Sequence, residues 1–233
     1  MAEWWTYSLT DFLLFSADTY YRLFERYNRA AWPFQLLPLV GGMGSYAAMR
    51  FRADRWGRGI ATLLAAAWLW VAWGYHLQRY ATINWAAPAF AALFAIEAAL
   101  LIWTGAVRSR LVFSAEASTI NRVGRGIFCF GLLGQPLVTP LLGRPWDQAE
   151  LFGMAPDPTA IATLGMLLLV PNRIHWGLVA IPLLWCAVSG ATLYGLSSPN
   201  AVVLLIAGSL AGGCACAKSW SKRSASVSNS AKF

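Results

Sequence analysis

The chain is divided by stretches of about 20 residues that contain no charged side chain, the length a helix needs to cross roughly 30 Å of hydrocarbon. No other feature constrains its fold as strongly. With 58% hydrophobic and 12% charged residues, the sequence lies far from the composition of a soluble domain. Candidate spans run approximately over 31–49, 58–77, 84–107, 126–143, 158–171, 174–196 and 199–217. The expected fold is therefore all-α, a polytopic membrane helix bundle of seven spans, or six if the short fifth segment does not cross. Trp32, Trp56, Trp85, Trp103, Trp146, Trp176 and Trp220 fall near segment ends, where interfacial anchors belong.

Two flanking regions differ from the bundle at 31–217. Residues 1–30 mix aromatic and charged side chains, and from Ser16 the positions Tyr20, Leu23, Phe24 and Tyr27 follow helical spacing. That pattern predicts an amphipathic helix lying in the interface. No basic start with an apolar core and small-residue cleavage site occurs there, so no cleavable signal is expected. Residues 218–233 are rich in Ser, Lys and Ala and are expected to form a disordered basic tail.

The formal charge of +8 is read as membrane topology, not as affinity for nucleic acid, because the basic residues cluster in particular loops. With seven spans and the N-terminus outside, the inner side holds Arg50, Arg52, Arg55, Arg58, Arg108, Arg110, Arg122, Arg125, Arg173, Lys218, Lys222, Arg223 and Lys232. Only Arg22, Arg26, Arg29, Arg79 and Arg144 fall outside. Six spans would place the basic tail outside and violate the positive-inside bias. The C-terminus is therefore expected in the cytoplasm.

The fifth segment is the irregular one. Pro156-Asp157-Pro158-Thr159 separates Leu151–Ala155 from Ala160–Val170, and Asp157 before Pro158 reads as a capped helix start. From Pro158 to Pro171 the helix would be about 21 Å long, short of the roughly 30 Å core. A polar turn between two apolar stretches is tolerated in a membrane only where it lines a cavity or is buried in protein. At the interface Asp157 is only a cap; inside the bundle it is a site candidate, because half-helix N-termini point at anionic groups in transporters.

Other polar residues extend the candidate pathway. Glu97 lies thirteen residues beyond Asn84, roughly 20 Å along its helix and near the midplane, where a carboxyl group is a functional hypothesis by default. It is a proton site, a cation ligand, a partner for Gln135 in the fourth span, or a packing group. His76 ends the second span on the outer side, which also holds Asp147, Glu150 and Asp157, but no ligand spacing defines a metal site. The pathway set is thus Glu97, Asp157, Thr159, Gln135 and His76. Gly41, Gly42 and Gly44, and the run from Gly208 to Gly213, offer small faces for helix approach.

Several classes are disfavoured. Lys218, Lys222 and Lys232 are the only lysines, so none sits within a span to form a retinal Schiff base. His76 and His175 fall at opposite membrane faces, which rules out a shared haem or a zinc hydrolase site. Cys129, Cys186, Cys214 and Cys216 form no secreted-type disulfide framework. No nucleophile–base or metal constellation marks an enzyme, and no cofactor is expected.

The runs Glu3-Trp4-Trp5-Thr6-Tyr7, Asp11–Ser16 and Tyr20–Asn28, with Ile83-Asn84-Trp85-Ala86-Ala87, Pro156-Asp157-Pro158-Thr159 and Thr163-Leu164-Gly165, resemble a family of bacterial multi-pass membrane proteins of unknown function. The resemblance implies this architecture and a bacterial inner membrane, and transfers no catalytic residues. The expected function is a small permease or channel-like carrier for a small solute or ion. The alternative is a non-enzymatic accessory or sensor subunit. Expected partners are the lipid bilayer and a second copy or a membrane partner subunit, with no nucleic acid.

Overall fold

In the computed structural model, residues 14–51, 56–113, 118–171 and 174–230 are described. The aromatic motifs at residues 3–7 and 11–13, and Arg52, Arg55, Arg173 and Lys232, lie outside the described residues. Among those described, every regular element is helical. Helix α1 (Ala17–Ala31) starts behind Ser16, whose Oγ accepts from the Thr19 N–H at 3.3 Å. Its buried face carries Tyr20, Leu23, Phe24 and Tyr27 at the expected spacing. That face packs on protein: Phe24 stacks on Tyr75 at 5.1 Å, and Trp70 Nε1 donates to the Tyr27 hydroxyl at 2.7 Å.

Helix α2 covers Leu36–Phe51. Helix α3 (Gly57–Trp70) continues into a wide π-helical turn at Val71–Leu77 and a 3₁₀ turn at Tyr80–Thr82. Helix α4 (Ala87–Leu101) likewise widens at Ile102–Val107. Helices α5 (Thr119–Cys129) and α6 (Gln135–Leu141) are joined by a π-helical turn at Phe130–Gly134. Helix α7 (Pro156–Leu168), α8 (Trp176–Gly195) and α9 (Asn200–Ser230) complete the fold.

Four helical stretches are long and apolar enough to cross a membrane: Gly57–Thr82, Ala87–Val107, Trp176–Gly195 and Asn200–Ser221. They mark a membrane protein. The seven spans expected from sequence are not reached by this measure. Leu36–Met49 is apolar but shorter, the α5–α6 rod opens with Arg122 and Arg125, and α7 has only 13 residues. The seven tryptophans named as anchors are all exposed, whereas Trp68 and Trp185 are buried.

Helix α7 is the axis of the molecule, and all of its residues are buried. It packs against α3, α5, α8 and α9. A helix apolar on every side belongs inside a bundle, which is why α7 has no preferred face. It begins at Pro156, not Pro158, with Ala155 as N-cap and Asp157 already in the first turn. Thr159 performs the stitching expected of Asp157: its Oγ1 accepts from the Gly153 N–H at 2.9 Å and donates to the Ala155 carbonyl at 2.7 Å. Gly153 has φ +73°, and a Cβ there would strike Pro38. At the other end, Lys218 Nζ donates to the Leu168 and Val170 carbonyls at 2.7 and 2.6 Å. That anchor draws the expected tail into α9, which stays helical to Ser230 and does not end at 217.

The closest helix approach falls elsewhere than the glycines first singled out. Gly42 and Gly208 do meet neighbours, but nothing lies within 4 Å of a Cβ built at Gly44 or Gly213. Instead, α5 and the π-helical turn after it touch α7 through Gly124, Gly131 and Gly165. A Cβ at Gly165 would overlap the Phe128 backbone, and one at Gly131 would sit 2.6 Å from the Ala162 nitrogen. These are backbone obstacles and cannot rotate away. Gly165→Leu is expected to destabilise by at least about 1–3 kcal/mol, the overpacking range. Gly126→Ala, whose Cβ meets nothing within 4 Å, is expected to be neutral or to gain up to about 1 kcal/mol. Thermal unfolding of the purified variants in detergent measures both.

Candidate functional site

The first turn of α7 directs Asp157 sideways into the bundle, where it is fully buried. Trp185 and Ser189, one turn apart on α8, both reach it. Trp185 Nε1 donates to Asp157 Oδ1 at 2.7 Å, and the Ser189 hydroxyl lies 2.8 and 3.0 Å from Oδ1 and Oδ2. The positive end of α7 adds to these donors, and together they offset part of the cost of burying a carboxylate. Asp157 is therefore not a surface cap; it joins α7 to α8.

The loop entering α7 brings a second acid. Glu150 is buried, and its carboxyl group stands at hydrogen-bonding range of Asp157. Gln135 and Arg144 lie alongside, but neither donates to it with hydrogen-bond geometry. Burial pushes the Glu150 carboxyl well above the usual carboxylate range, the negative charge of Asp157 adds to this, and Arg144 opposes it. The Arg144 guanidinium sits 3.6 Å from the centre of the Tyr21 ring, and its two terminal nitrogens have no hydrogen-bond partner. Gln135 Oε1 and the Tyr75 hydroxyl oxygen are buried and unpartnered as well. Helix α1 covers this cluster. Asn28 Nδ2 donates to the Asp147 and Ala149 carbonyls, both at 2.8 Å, and Arg29 pairs with Asp147 at 2.8 Å.

His76 is drawn inward from the interface position expected of it. The π-helical turn that ends α3 buries it among rings, with Phe94 at 4.6 Å, Trp185 at 5.0 Å and Tyr75 at 5.2 Å between centroids. Neither ring nitrogen has a hydrogen-bond partner. Trp185 thus has one edge on Asp157 and a ring against His76. Glu97 stays apart. It lies one turn beyond Phe94 on α4, buried, with no partner at either oxygen. The pairing of Glu97 with Gln135 does not form, because Gln135 faces Glu150.

Of the residues proposed from sequence, the structure gathers Asp157 and Gln135 around Glu150 and sets His76 behind the Trp185 ring. Thr159 serves the backbone, and Glu97 is separate. Glu150, Arg144, Trp185, Ser189 and Tyr75 were not included. A signal existed for two of them: Arg144 and Glu150 bracket a short connection between apolar runs, where the chain cannot hold them far from the bundle. Trp185 and Ser189 sit in an apolar helix without any local signature. Among the described residues, no three His, Cys, Asp or Glu side chains form a group able to hold a metal ion.

Fold and site together define an all-helical membrane protein with a buried acid pair at the start of its central helix. The chain belongs to DUF6064, a family of unknown function whose profile matches residues 17–226. No curated protein and no solved structure matches it.

Removing the donors to Asp157 tests this geometry. Trp185→Phe and Ser189→Ala are each expected to lower stability by about 1.5–3 kcal/mol, the range for hydrogen bonds to a charged group. Because both donors serve one carboxylate, the double variant should depart from additivity. Denaturant unfolding of the three variants measures it.

Proposed function

We propose that this protein is a small permease or channel-like carrier for a small solute or ion, with its site at the Glu150–Asp157 pair. The observation that carries this reading is two buried acids in contact inside a membrane bundle, beside polar atoms of Gln135, Arg144 and Tyr75 that lack partners. Buried polar groups are normally satisfied, so such a cluster calls for water, an ion or a ligand. Intramembrane acids are costly and mark ion or substrate paths. The path runs from Asp157 along Trp185 and Phe94 towards Glu97.

In this reading the protein sits in a bacterial inner membrane with seven spans, the shorter helices α2, α5–α6 and α7 crossing beside the longer four. The excess of Lys and Arg on one side supports an external N-terminus and a cytoplasmic C-terminus. In proteoliposomes loaded against a panel of small solutes, Asp157→Asn is expected to reduce uptake of the transported solute by at least about tenfold, the effect of about 1.4 kcal/mol. Glu97→Gln should also slow it. Unchanged uptake of every solute by both variants would sink the carrier reading.

A second reading, a non-enzymatic accessory or sensor subunit, is favoured by one surface feature. A groove of about 400 Å³ runs between α1 and the end of α3, lined by Arg22, Arg26 and Arg79 with Thr19, Gln78 and Thr82. Three arginines there suit an acidic partner. Copurification of a stoichiometric partner that is lost on deleting residues 1–28, with no uptake in proteoliposomes, would select this role.

A further inference from the structure

We infer that the Glu150–Asp157 pair is a proton-binding site that holds one proton between its two carboxyl groups, carried on Glu150. Donors and acceptors do not balance at the pair. Asp157 accepts from Trp185 Nε1 and from Ser189 Oγ, so its oxygens are met by N–H and O–H hydrogens. Glu150 is buried with no hydrogen-bond partner at either oxygen, and only the Gln135 side chain and Arg144 lie near enough to favour its charged form. Acceptor oxygens thus face one another with no hydrogen between them.

Two ionised carboxylates at this range, both buried in protein, repel strongly, and one of the pair takes a proton. A single hydrogen turns the contact into a charge-assisted O–H···O⁻ bond. The hydrogen bonds decide which acid holds it. A proton on Asp157 would point at groups that already donate, whereas a proton on Glu150 supplies the missing donor to Asp157. The titratable and charged groups facing Glu150 are Asp157 on α7, Arg144 after α6, Tyr20 and Tyr21 on α1, and Tyr75 at the end of α3. Tyr80 and Cys186 face Asp157 from α3's end and α8. Arg144 balances the one negative charge that remains, so the site is neutral with its proton in place.

The inference rests on the carrier reading only in naming the proton as its coupling ion; the stored proton itself has a separate assay. Infrared difference spectra of the lipid-reconstituted protein, titrated from about pH 5 to about pH 9, span the range above ordinary carboxylates. They are taken in a Glu97→Gln background, since Glu97 is another buried carboxyl group. A protonated-carboxyl band is expected to persist above pH 7, to vanish in Glu150→Gln and to survive, shifted, in Asp157→Asn. Absence of the band, or its loss in Asp157→Asn with survival in Glu150→Gln, overturns the proposal. Isotope labelling of glutamate carboxyls leaves the pair intact: the band shifts if Glu150 holds the proton, and an unmoved band overturns the assignment. A shifted band without uptake of any solute would overturn the carrier reading and leave the proton site standing.

Discussion

The structure depends on closing both ends of a helix that is buried along its whole length. An α-helix leaves four N–H groups and four carbonyls without intrahelical partners, and burial makes each one expensive. Helix α7 is enclosed along its whole length, so its neighbours must supply what solvent cannot. Lys218 arrives from α9 to meet the Leu168 and Val170 carbonyls, and Thr159 ties the entering loop at Gly153 and Ala155. The charges also suit the helix dipole, Asp157 at the positive end and Lys218 at the negative end. The position of α9 and the sharp path of residues 150–155 both follow from this requirement.

The acid pair is a consequence of the same enclosure. The loop that starts α7 has to fold back into protein, and it carries Glu150 with it. Helix α8 supplies Trp185 and Ser189 to Asp157, while α1 closes the outer side through Asn28 and the tyrosine face. Glu150 gains no comparable donors. The site is therefore asymmetric: one acid accepts from Trp185 and Ser189, and the other has only Gln135 and a single arginine nearby. Such asymmetry separates the protonation behaviour of two like groups, as in carboxyl pairs that do acid–base work.

Much of this was legible in the residues. The uncharged runs specified helices and the membrane, the spacing of Tyr20, Leu23, Phe24 and Tyr27 specified the buried face of α1, and Pro156–Thr159 marked where a helix starts. Local chemistry could not rank the partners of that start. Asp157 before a proline is a fair cap, yet Pro156 occupies the first helical position and Thr159 reaches back instead, because the loop turns through Gly153. The glycine contacts show the same limit. A cluster such as Gly41, Gly42 and Gly44 is conspicuous in sequence, but none of its members meets another backbone, whereas Gly124, Gly131 and Gly165 all do.

By itself, then, the sequence determined the helical class and the apolar runs long enough to cross a membrane, since both follow from the transfer of side chains between water and hydrocarbon. Tertiary structure decided which helix is central, which acids meet and which stand alone. Glu97 and Glu150 are both buried, but one faces no partner and the other faces Asp157. That difference arises from how α4, α7 and the 144–155 loop are packed against one another. No periodicity within a single segment encodes the contact between segments far apart in the chain.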